Sequence, residues 1–102
     1  MKSKRSRACD VLPGVRAKVL ERDNGRCILC GTNYNLTIAH YISRANGGLG
    51  IEENLVCLCL CCHHDTDQSI KRSFNILAIK GYLKSIYENW DENKLKYRKE
   101  IN

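Results

Sequence analysis

A chain of 102 residues makes one small domain, at the size where a hydrophobic core alone gives marginal stability, and its seven cysteines offer a metal staple instead. The longest uncharged apolar run, Leu55 to Cys62, is far too short to cross a membrane, and MKSKRSRACDVLPG at the N-terminus lacks the apolar stretch of a secretory signal. The formal charge of +6 excludes an acidic, solvating chain and suits a polyphosphate partner. Lys2, Lys4, Arg5 and Arg7 gather at one end and Lys94, Lys96, Arg98 and Lys99 near the other, where solvated termini are the equally good alternative. The expected setting is a reducing cytoplasm, in which paired cysteines bind metal rather than form disulfides.

Residues 1–10 carry no periodic pattern and are expected to be disordered. Pro13 can open a helix, Val15 and Val19 lie one turn apart, and Asp23-Asn24-Gly25 reads as its stop. Cys27-x-x-Cys30-Gly31 is a tight knuckle. Leu36–Ala39 then reads as a short β-branched strand ending at His40, followed by a loop, SRANGGLG, over residues 43–50. Asn54–Leu58 should return as a second strand, antiparallel to the first. Cys59-x-x-Cys62 opens a helix over 60–68. A long helix over 69–89 follows, because Ile76, Ile79, Leu83, Ile86 and Trp90 recur on one face; Gly81 interrupts it at a cost of about 1 kcal/mol relative to Ala. The tail from about 95 to 102 is polar and expected to be disordered. The fold class is α+β, in a single domain.

Cys27, Cys30, Cys59 and Cys62 have the spacing of a four-thiolate zinc site. Each Cys-x-x-Cys turn aims two sulfurs at one point, and two turns from separate segments close a tetrahedron. Such a site has no open position, so it stabilises and does no chemistry. Cys57 and Cys61 alternate with Cys59 and should point away as small buried hydrophobes, although either could replace one of the four ligands. Cys9 belongs to no pair.

His40, Asn54 and His63 remain. The order CILCG, IAHYISRANGG, ENLV, LCLCCHH resembles the HNH motif of the ββα-metal (His-Me finger) nucleases, over residues 27–67. The resemblance implies a metal-dependent DNA endonuclease that hydrolyses phosphodiester bonds, nicking one strand with little sequence specificity. In that pattern His40 takes the general-base position and Asn54 ties down the long loop and orients the base. His63 and Asp67, one helical turn apart, hold a catalytic Mg2+ or Mn2+ beside the structural Zn2+. The pattern departs at Ala39, where many members carry a further metal ligand. Metal affinity is then weak until substrate arrives, or His64 or Asp65 contributes, or catalysis is impaired. Arg44 is a candidate phosphate clamp, or a solvated loop arginine. The flanking helix and the NWDENKLKY tail are similar to small phage-encoded members, which implies a phage or prophage origin in a bacterial host and terminase or packaging proteins as partners. The competing reading is a non-catalytic zinc-ribbon module that binds nucleic acid: it needs the four cysteines and the charge but has no use for His40 or Asn54.

Overall fold

The computed structural model describes residues 2–98. Its centre is a two-stranded antiparallel sheet, β1 (Leu36–His40) and β2 (Leu55–Cys59), in the register Leu36↔Cys59 through His40↔Leu55. Every residue of β2 is buried, which is why Leu-Val-Cys-Leu-Cys reads as an unbroken apolar run instead of alternating. Alternation still sorts the side chains: Val56 and Leu58 cluster with Ala39 of β1 and with Ile79 and Leu83 of the C-terminal helix.

The helices are α1 (Lys4–Cys9), α2 (Pro13–Arg22), α3 (Leu60–Gln68) and α4 (Arg72–Ile86). Helix α2 begins at the expected Pro13 and stops where Asn24 and Gly25 take positive φ. Its last turn does more than pack. The Asp23 carboxylate is buried, accepts from the Cys57 amide at 2.9 Å and from the Tyr82 hydroxyl, and pairs with Arg22. Arg22 in turn donates to the carbonyls of Glu52 and Leu55 at 2.8 and 2.6 Å. A buried charge is tolerable only when so fully partnered. This knot ties α2 to the entry of β2.

Two expectations about the ends are corrected. Residues 4–9 form a helix, because Ser3 caps it by accepting from the Ser6 amide and because Cys9 is buried in contact with the rest of the fold. Its backbone is seated directly on the glycine loop: the Gly50 amide donates to the Ala8 carbonyl at 2.9 Å, and a Cβ on Gly50 would lie 1.9 Å from the Asp10 carbonyl oxygen. Only glycine permits that approach. At the other end Leu95 is buried, Leu49 donates to its carbonyl, and the Tyr97 amide donates to Gly47, so the segment to residue 98 is fastened to the same loop. Residues 99–102, with Lys99 and the rest of the tail, lie outside the described residues.

Helix α4 is shorter than the apolar pattern implies. Ser69 closes α3, its amide and hydroxyl both donating to the Asp65 carbonyl, so the chain must turn before Arg72. After Ile86 the backbone extends at Tyr87, and Trp90 reaches the core from the return segment, its Nε1–H donating to the Glu53 carbonyl at 2.7 Å. Ile79 and Leu83 are the residues of that face that are fully buried, whereas Ile86 is exposed. Among the described residues no helix is long and apolar enough to cross a membrane.

Candidate functional site

The sulfurs of Cys27, Cys30, Cys59 and Cys62 all lie within 4.8 Å of one another, and those of Cys30 and Cys59 are 3.6 Å apart. A tetrahedron with Zn–S bonds of about 2.3 Å has edges of about 3.8 Å, so the cluster has the dimensions of a closed zinc site. These four cysteines could hold zinc. Local geometry makes the cluster: Gly31 turns at φ 83° so that its amide returns to the Cys27 carbonyl, and Cys59 caps α3 with its sulfur accepting from the Cys62 amide. Burial acts to raise the Cys27 thiol, but the backbone amides of Cys59, Cys30 and Leu29 outweigh it and bring it down to about 7. Burial and the three neighbouring sulfurs push Cys62 well up. Four thiols so close cannot all ionise without a cation among them. Cys57 is buried in β2, Cys61 is exposed on α3 and Cys9 is buried at the end of α1, and none of the three belongs to the cluster.

His63 follows the second knuckle on α3. Its Nδ1 lies 2.8 Å from Thr37 Oγ1, while that hydroxyl donates to the Leu58 carbonyl at 2.8 Å. The hydroxyl proton is therefore committed to the carbonyl, and the oxygen can only accept from His63. In the neutral ring Nδ1 carries the hydrogen and Nε2 keeps its lone pair. Nε2 lies 3.4 Å from Asp67 Oδ2, on the same face one turn later. That pair, on a partly exposed helix, could together hold a divalent ion. Ala39 contributes nothing to it: its side chain is buried in the core. His64 is exposed, and the Asp65 carboxylate faces Lys71 at 4.0 Å.

His40 is anchored from the other direction. Its Nε2 lies 2.9 Å from the Cys9 carbonyl, which can only accept, so the proton is on Nε2 and Nδ1 is the free base. Burial holds its pKa below the ordinary 6.5; the Cys9 carbonyl works the other way, and the nearby charges of Arg44 and His63 add to the lowering. The two imidazoles are thus within electrostatic reach of each other. Each is fixed through the nitrogen that leaves the other one open.

Asn54 is fully buried. Its Oδ1 accepts from the Ile42 amide at 2.8 Å, and its Nδ2 donates to the carbonyls of Ile42 and Leu49 at 3.1 and 2.9 Å. One side-chain amide therefore closes both ends of the loop that follows His40. Asn54→Ala is expected to leave three half-buried backbone groups without their side-chain partner and to lower stability by about 2–4 kcal/mol. A urea titration read by circular dichroism measures this, and a midpoint equal to wild type would mean that the loop is held elsewhere. Arg44 is occupied differently from a phosphate clamp: Nη1 donates to the Cys9 carbonyl at 2.7 Å and Nη2 to Asp10 at 2.8 Å.

No protein-family model matches the chain, and no curated protein matches it in sequence. Among solved structures it is similar to the Type IV phosphorothioation-dependent restriction endonuclease ScoMcrA, with a TM-score of 0.63 and 23% identity over 74% of this chain. The likeness is one of fold. The match spans 17% of that enzyme's chain, so it concerns one part of a much longer protein.

Sequence reasoning missed Thr37, Cys9 and Asp10. Thr37 left a faint signal, since period 2 puts its hydroxyl on the same side of β1 as Ala39, away from His40. Cys9 acts through its backbone, which no side-chain pattern can reveal.

Proposed function

We propose that the chain is a metal-dependent DNA endonuclease of the ββα-metal type, with His40 as general base and with His63 and Asp67 as ligands of a catalytic Mg2+ or Mn2+. The observation that carries this reading is the complementary fixing of the two imidazoles, Nδ1 of His40 and Nε2 of His63 both left with a lone pair. The fold likeness to an enzyme described as a restriction endonuclease supports the same class.

His40 Nδ1 would take a proton from the attacking water as its oxygen bonds to phosphorus, and the Nε2–H bond to Cys9 would hold the imidazolium in place. The P–O3′ bond breaks, the 3′ oxygen is protonated from solvent, and a 5′-phosphate remains. A divalent ion on His63 and Asp67 would supply positive charge for the leaving oxygen and the phosphate. Asn54 would act through the loop, keeping the end of β1 from splaying. The basic residues would contribute phosphate contacts, giving an affinity that falls steeply with salt. Terminase or packaging proteins as partners, and a phage origin, rest on the resemblance of the flanking helix and the NWDENKLKY tail alone.

The test is supercoiled plasmid incubated with the protein in Mg2+, Mn2+ or EDTA. Metal-dependent conversion to open circles is expected. DNA binding without conversion in either metal would replace this reading with the zinc-ribbon one. The pH profile is a second check. Because His40 is held below 6.5 and works as a neutral base, the rate should be level near pH 7 and above, and should fall only as pH drops below 6.5. Stability should move the same way: the unfolded chain binds that proton more readily, so the His40 contribution is lost as pH falls from 6.5 through the lower folded value. An acid limb centred above pH 7 would remove His40 from the role.

A further inference from the structure

His40 is oriented by an oxygen that lies outside the 27–67 segment. The carbonyl of Cys9, the last residue of α1, accepts from His40 Nε2 at 2.9 Å and from Arg44 Nη1 at 2.7 Å. Arg44 Nη2 donates to Asp10 Oδ1 at 2.8 Å, and Lys2 Nζ holds the other oxygen of the same carboxylate at 2.9 Å. A planar guanidinium is thereby pinned at two points by consecutive residues, Cys9 and Asp10. Such a fork fixes direction as well as distance. The seam continues beyond it, with Arg5 Nη2 donating to the Ala45 carbonyl at 2.8 Å and the Gly50 amide to Ala8.

The arrangement resolves a conflict in what a general base needs. The ring must be hydrogen-bonded through Nε2 so that Nδ1 is open, yet a bare carbonyl there favours the protonated ring. A cation sharing that carbonyl weakens the preference. The ionisable groups that act on His40 are Arg44 from the loop and His63 from α3, and the Asp10–Lys2 pair of the N-terminal segment closes on Arg44.

We propose that Arg44 and Asp10 are positioning residues for His40: together they lock the Cys9 carbonyl onto Nε2, so that α1 becomes part of the reactive centre. The functional consequence rests on the nuclease reading; the geometric claim does not. Arg44 then serves the base and not the substrate phosphate, and the basic N-terminal segment is a structural part of the enzyme.

Two measurements on the full chain test this. The first is imidazole 15N NMR of wild type, in which His40 is expected to be almost wholly the Nε2–H tautomer at pH 7.5. A mixture, or the Nδ1–H form, would overturn the proposal whether or not the protein cuts DNA. The second compares Arg44→Gln and Asp10→Ala with wild type. Both should admit the other tautomer and lower kcat for plasmid nicking about tenfold or more, with KM within about twofold. Asp10 makes the decisive variant, because a carboxylate has no affinity for phosphate. A raised KM for Arg44→Gln, with Asp10→Ala and the His40 tautomer unchanged, would return Arg44 to the role of phosphate clamp. Should either variant melt below the assay temperature, its imidazole 15N spectrum taken below its melting temperature decides: an Nε2–H population unchanged in both variants would overturn the proposal. The expected NMR result in a protein that never nicks would sustain the clamp and discard the nuclease.

Discussion

His40→Ala is expected to slow nicking of supercoiled plasmid by about 10²- to 10⁴-fold, the range general-base catalysis contributes. The structure makes this a clean substitution. Removing the ring deprives the Cys9 carbonyl of one donor, but Arg44 still donates to the same oxygen at 2.7 Å, so no buried acceptor is orphaned. The loss of stability should therefore stay near 1 kcal/mol, and zinc content and DNA affinity should match wild type. The assay is single-turnover plasmid conversion at saturating Mg2+ or Mn2+, with melting temperature and a gel-shift titration alongside. Cleavage by His40→Ala at the wild-type rate would exclude the mechanism, because among the described residues no other imidazole is anchored at the end of β1. A failure to bind or to fold would instead point to an unrecognised structural role for the ring.

With zinc on the four cysteines that could hold it, its removal would have the larger effect on the fold. Structural four-thiolate sites are worth about 10–16 kcal/mol by analogy with zinc-finger peptides, against a net stability of about 5–15 kcal/mol for an ordinary domain. Here the cluster joins four parts of the chain: the Cys27–Cys30 knuckle, the end of β2, the start of α3 and, through Cys59 opposite Leu36, the beginning of β1. Without a cation the crowded sulfurs must hold protons and separate. Chelated protein is expected to lose its cooperative melting transition, and Cys59→Ser to express as an unfolded chain. Cys61→Ser makes the control, since Cys61 is exposed and outside the cluster, and should melt as wild type. A metal-free protein with an unchanged transition would remove zinc from the energetics. Loss of the metal should also silence cleavage, because His63 reaches Thr37 only while α3 is held against β1.

How much of this was legible in the residues follows the range of the interactions involved. The strands were legible within one residue, since a β-branched run before His40 and a wholly apolar run before Cys59 can be buried in few ways. The 60–68 helix is set by Cys59 acting as its own cap. Helix α4 was overextended because apolar periodicity registers which residues seek the core, and Trp90 seeks it from a return segment as well as it would from a helix. Helix α1 was invisible: six residues whose two apolar side chains, Ala8 and Cys9, are adjacent carry no period, and its stability comes from the loop beneath it. Arg22 and Asp23 read as the end of a helix, yet their side chains bind residues 30 to 65 positions away.

By itself the sequence determined the four thiols, their pairing in two knuckles, a two-stranded α+β architecture, and which imidazoles to single out as candidates. Those are properties of spacing and residue type, written locally. Only the tertiary structure decided which nitrogen of each imidazole is free. That choice belongs to the partner of the opposite nitrogen, and the partners, the Cys9 carbonyl and the Thr37 hydroxyl, lie 31 and 26 residues away along the chain. A histidine's chemistry at neutral pH is set by a hydrogen bond its own neighbours do not make.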